Sequence, residues 1–269
     1  MLKSDAKMQR LWLWVAVGGY LFACIGLVPL ARLIPPHRPS LGKEAIAAFW
    51  ADDIQLKLLG LVICFVGMGM ALGYFVVLFL QMQRVEGRSA PLAYMQLAAG
   101  LLTVAQGLVM YMVWIVIAFR PDRDASVILA FNDIAWFGFI VPYFFFVQVI
   151  PIALAAFKDT EGRVFPRWVG YLNVWVAVAG IPAIFMPFFK TGPIAWNGLI
   201  TFWIFLVIYG SWVTIMFYVM FKATRRQEAE DQALDAQERA DRATLDAMAA
   251  FLAQAEPAEA RVTTRRIDD

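Results

Sequence analysis

Residues 54–80 read IQLKLLGLVICFVGMGMALGYFVVLFL, a run with one charged side chain, Lys57. A helix needs about 20 predominantly apolar residues to cross a bilayer, whereas a barrel strand needs about 10 and alternates. This run is too long and too continuous for a strand, so it predicts a membrane-spanning helix. Working outward, five more runs have the same character: 11–30, 92–119, 127–157, 168–189 and 194–221. The fourth is over-long. The chain therefore reads as an all-α polytopic membrane protein, a six-helix transmembrane bundle over 11–223. A short N-terminal segment, 1–10, precedes it, and a tail, 224–269, follows.

Composition agrees. Of the 269 residues 61% are hydrophobic and 16% charged, and mean hydropathy is +0.66. Soluble domains run about 45–50% apolar and about 25% charged. A net charge of +2, from 23 Lys+Arg and 21 Asp+Glu, argues against a nucleic-acid partner. Cys24, Cys64 and His37 are the only cysteines and histidine, too few for a structural zinc site, a bis-histidine haem or a di-iron bundle. The expectation is no metal and no cofactor.

The charges are unevenly placed. Lys3, Lys7, Arg10, Arg84, Arg88, Lys158, Arg163, Arg167, Lys222, Arg225 and Arg226 flank one set of helix ends. Arg32, Arg38, Lys43, Arg120, Arg123 and Lys190 flank the other. By the positive-inside rule both termini are expected to be cytoplasmic, in a bacterial inner membrane. The tail from 227 carries five Lys/Arg and eleven Asp/Glu, net −6; the remainder, with eighteen and ten, is +8. Its Ala, Glu and Gln content favours helix, and a cytoplasmic partner is one reading of it. Between the first two spans, Pro35, Pro36 and Pro39 stiffen the chain. Ser40 is placed to cap an outer-surface helix at 41–50, whose apolar face holds Ile46, Phe49 and Trp50.

Few polar residues lie within the runs. Asp133 is the one embedded carboxylate, beside Asn132. A carboxylate at membrane depth usually pairs or faces water. Lys57, Asp133 and Asn197 fall at one level, about one turn inside the same surface, so Lys57 and Asp133 are expected to pair. They would form either a polar gate or a salt bridge locking the bundle. On the third run Gln96, Gly100, Thr103, Gly107 and Tyr111 share a face, with Gln106 at its edge, the mark of a helix contact or a cavity wall. Gly69 and Gly73 form a GxxxG. Pro142, Pro151, Pro182 and Pro187 kink the fourth and fifth runs, and kinked helices either simply fit the bundle or expose carbonyls to a ligand. Trp136 and Tyr143 could wall a site for a small apolar or aromatic molecule.

Several loop segments resemble a group of six-helix bacterial membrane proteins with no established activity. They are Pro35-Pro36-His37-Arg38-Pro39-Ser40, Arg84-Val85-Glu86-Gly87-Arg88, Phe119-Arg120-Pro121-Asp122-Arg123-Asp124, Asn132-Asp133-Ile134-Ala135-Trp136, Val164-Phe165-Pro166-Arg167-Trp168-Val169-Gly170-Tyr171-Leu172-Asn173, and Phe189-Lys190-Thr191-Gly192-Pro193 with Ala195-Trp196-Asn197-Gly198. The resemblance spans about residues 30–220 and implies the architecture alone. No HExxH, GxSxG or phosphate-loop pattern occurs. Function is therefore expected to be transport, as a permease or channel-like subunit. The alternatives are a membrane anchor or sensor using the tail and, third, an intramembrane enzyme.

Overall fold

The computed structural model describes residues 6–140 and 144–265, with side chains to residue 252. Among these residues it is helical without strands, and six helical segments are long and apolar enough to cross a membrane. Two units separate within it: residues 7–224, which hold the bundle, and a second that takes in the rest of the described chain from Arg225.

Helix α1 spans Ala6–Ile25 and ends in a wider π-helical turn, Gly26–Leu30, that contains Pro29. The predicted surface helix is α2, Lys43–Ala51. Its N-cap is Gly42 with no side-chain cap, so Ser40 does not play that part. Ile46 and Trp50 are buried, so the helix seats its apolar face on the bundle. The second span is two helices, α3 (Ile54–Met70) and α4 (Leu72–Glu86), broken at Ala71. The Ala71 N–H is shared between the carbonyls of Gly67 and Met68, at 3.2 Å each. Residue 71 thus sits where one helical register gives way to another.

The third span is α5, Pro91–Phe119, with Pro91 at its first turn. Glu86 accepts the Ala93 N–H at 2.8 Å and so satisfies one of the free donors at this end. The over-long fourth run divides into α6 (Ala125–Ile140) and α7 (Phe145–Lys158). Asp124 opens α6 as a side-chain cap, accepting the Ser126 N–H at 2.8 Å. Residues 141–143 lie outside the described residues; by sequence, residue 142 is proline, which has no N–H to give the carbonyl four residues back, that of Gly138. The Gln106 side-chain amide donates to that carbonyl instead.

Helix α8 spans Arg167–Ile184 and the last helix, α9, Phe205–Arg265, preceded by a π-helical turn at Leu199–Ile204. The Trp212 indole donates to Asn173 Oδ1 at 3.0 Å, tying α9 to α8. The loop before α8 folds around Asp159. Its carboxylate accepts the backbone N–H groups of Arg163, Val164 and Phe165 at 2.9, 2.8 and 2.8 Å.

Span one and span two meet through glycine. A Cβ on Gly67 would lie 2.6 Å from the Gly19 carbonyl oxygen, and one on Gly60 2.7 Å from that of Gly26. The pairs are seven residues apart on both helices, so an antiparallel crossing brings backbone onto backbone twice. The expected GxxxG divides differently. Gly73 does approach a backbone, that of Trp12, but Gly69 has nothing within 4 Å and takes no part in packing.

Candidate functional site

One end of the bundle is closed by the segment between α1 and α3. Its prolines limit the chain's freedom, and His37 sits among them. The Trp196 indole donates to the His37 carbonyl at 2.8 Å, fastening this strap to the turn before the last span. The His37 ring lies 5.4 Å from Phe49 and 5.4 Å from Trp136, with Trp196 at 6.2 Å, the two tryptophans edge-on to it. Trp136 in turn stacks on Trp196 and meets Trp114 edge-to-face at 5.2 Å. Loop, α2, α5, α6 and the 192–198 turn thus each contribute a ring to one aromatic box.

Polarity in the box is directional. Trp50 Nε1 donates to Asn132 Oδ1 at 3.2 Å, and Asn132 Nδ2 faces His37 Nε2 at 3.1 Å. An indole only donates, so the asparagine must present its oxygen to Trp50 and its N–H to the histidine. His37 Nε2 is therefore an acceptor and the ring is neutral with its proton on Nδ1. Burial works in the same direction and holds the imidazole down to about 4. Between pH 6.5 and about 4 the unfolded chain binds the extra proton and the folded one does not. This contribution is present above pH 6.5 and is lost as pH falls toward 4. In thermal unfolding, the advantage of the wild type over His37→Gln should shrink by about 2–3 kcal/mol between pH 7 and pH 4.5. A gap that does not change with pH would refute the half-buried neutral histidine.

The expected Lys57–Asp133 pair does not form. The Lys57 ammonium donates to the Asp52 carbonyl, stands 3.8 Å from the Asp52 carboxylate and lies over the Phe49 ring at 4.8 Å. It is a cation on the C-terminal end of α2, where free carbonyls and the helix dipole favour it. Arg32 closes the corner by pairing with Asp53 at 2.7 Å. Asp133 is half-buried one residue beyond Asn132, and the positive charge felt there is that of Lys190. Asn197 lies in the turn before the last span, not on its helix, because Pro193 and Gly198 close that turn through the Ile200 N–H to Pro193 carbonyl bond at 3.0 Å. Tyr143 and Pro142 lie outside the described residues.

Of the predicted residues, Asn132 and Trp136 fall inside the box and are fully buried. The box also holds His37, Trp50, Trp114 and Trp196, which sequence reasoning did not place together. The one signal for them was a sole histidine inside a proline-rich strap. The third-run residues divide by direction. Gly100 and Gly107 lie beneath the side chains of Phe75 and Met68, Gln106 turns to α6, and Thr103 bonds back to the Ala99 carbonyl at 2.9 Å. Gln96 is fully buried with neither amide atom partnered. The indole nitrogens of Trp114 and Trp136 are likewise buried and unpartnered.

Six apolar spans define a multi-pass helical membrane protein. No protein-family model, curated protein or solved structure matches the chain.

Proposed function

We propose that the protein is a permease or channel-like subunit of a bacterial inner membrane. Its substrate is a small, uncharged aromatic or apolar molecule that carries a hydrogen-bond acceptor. One observation supports this above the others: two buried indole N–H donors, those of Trp114 and Trp136, stand without acceptors inside a box of rings. An unpaired buried donor costs about 1–3 kcal/mol. A planar molecule with a carbonyl would recover that energy while its body packs against the rings. The eleven-to-six distribution of positive charge supports cytoplasmic termini, and so a box at the outer end of the bundle, beneath the strap. Asn132, Asp133, Lys57 and Asn197 then form its polar surroundings.

Benzamide and nicotinamide are suitable probes, with the full chain in detergent and in proteoliposomes. Either should raise the melting temperature, and uptake should exceed that of empty liposomes. Trp114→Phe and Trp136→Phe keep a ring and remove the N–H, so each should weaken binding about 5–10-fold. Absence of a melting shift and of uptake for both probes would defeat this reading.

Exposed Leu234, Leu245, Met248, Phe251 and Leu252 on α9 favour a second role, docking of a cytoplasmic partner by the tail. Deleting 227–269 separates the two. Probe binding survives the deletion if the box is the functional site.

A further inference from the structure

We propose that the buried face of α5 lines the route by which such a solute crosses, and that Phe75 and Met68 are its gates. The inference rests on the permease reading and names the path within it.

Setting Gln96 at zero and advancing about 100° per residue places Gly100, Thr103, Gly107, Tyr111 and Trp114 within about 60° of it. From Gln96 to Trp114 this face rises roughly 27 Å, close to the hydrocarbon thickness of about 30 Å. Its two ends are polar groups without partners: both amide atoms of Gln96 and the indole nitrogen of Trp114, each residue fully buried. A third, the Tyr74 hydroxyl, is buried and unpartnered on α4, its ring 5.3 Å from that of Phe75 and 5.0 Å from that of Phe217. These groups can hand a hydrogen-bonding solute from one end of the seam to the other. Helix α5 has no charged residue from Pro91 to Phe119, so the path suits an uncharged solute.

The glycines of this face differ in kind from those joining the first two spans. Gly19, Gly26, Gly60 and Gly67 meet backbone, which cannot withdraw. Gly100 meets the Phe75 ring and Gly107 the Met68 thioether, both side chains with rotamer freedom. The break at Ala71 lies between those two gates, so a small change of angle there moves both over α5.

Thiol chemistry tests the route. Maleimides need a thiolate, and a thiol in hydrocarbon stays protonated and inert. In full-length protein carrying Cys24→Ala and Cys64→Ala, Thr103→Cys lies on the path and Ala105→Cys on the exposed face of α5. With N-ethylmaleimide in sealed proteoliposomes, Thr103→Cys should react at least tenfold faster than Ala105→Cys. Adding Phe75→Ala should speed it several-fold more. Equal rates at 103 and 105 in both backgrounds overturn the route. The probe-induced melting shift, read on the same Thr103→Cys protein, decides the permease reading separately. A shift with equal rates sinks the route and keeps the site, whereas fast labelling at 103 without a shift keeps the route and sinks the aromatic ligand.

Discussion

Gly67→Leu should abolish the folded bundle, whereas Gly69→Leu, two residues away on the same helix, should leave it intact. At position 67 even the first added carbon would stand 2.6 Å from the Gly19 carbonyl oxygen and 2.8 Å from the Phe22 Cβ. Neither can move alone, because each belongs to the backbone or stem of α1. The spans would have to separate, and with them the Gly26–Gly60 contact seven residues away. Overpacking a core commonly costs about 1–3 kcal/mol, and a clash of backbone with backbone belongs at or beyond the top of that range, above about 4 kcal/mol. Position 69 has nothing within 4 Å, and replacing a glycine there, in the last turn of α3, gains up to about 1 kcal/mol of helix propensity. Size-exclusion profiles of the two variants in mild detergent make the comparison. A monodisperse Gly67→Leu peak with a wild-type melting temperature would contradict the packing of α1 on α3.

Asp159→Ala should cost about 4 kcal/mol, a fall of roughly 10 °C in melting temperature. The carboxylate ends three backbone N–H groups at once, two of them on buried residues, Val164 and Phe165. Hydrogen bonds to a charged acceptor contribute about 1.5–3 kcal/mol each, and the two buried donors left behind have no water to turn to. Asp159→Asn keeps one acceptor oxygen and should lose about half as much. The loop joins α7 to α8, so hydrogen exchange at 163–165 should rise sharply while the His37 end stays protected. Unchanged exchange at these three amides would show that the carboxylate does not organise the loop.

Much of the architecture was legible because lipid removes alternatives. In a medium without water every backbone group must bond within its own segment, so a run such as 54–80 has helix as its only outcome. The breaks inside the runs were less legible. No residue type marks Ala71, where the N–H merely divides itself between two carbonyls. The Gly192-Pro193 and Gly198 punctuation around Asn197 marks a turn that a run counted from 194 passes over.

The candidate site shows the same limit from another side. Lys57 and Asp133 were placed at one level by counting residues from the helix ends, and level along an axis says nothing about direction around it. The end of α2 stands nearer and takes the lysine. The glycine heptads 19/26 and 60/67 were visible only as spacings. Each means nothing until the partner helix is known to run antiparallel at that height.

By itself, then, the sequence determined how many times this chain can cross a bilayer, which ends carry its positive charge and that its interior is almost uncharged. Those are properties of single segments in a solvent. The tertiary structure alone decided that His37, Trp50, Trp114, Asn132, Trp136 and Trp196, drawn from five separate stretches, make one aromatic box. It also decided which glycines meet backbone and which meet a movable side chain. Such facts depend on rotation about each helix axis, and that rotation is set by packing against neighbours that no single apolar run encodes.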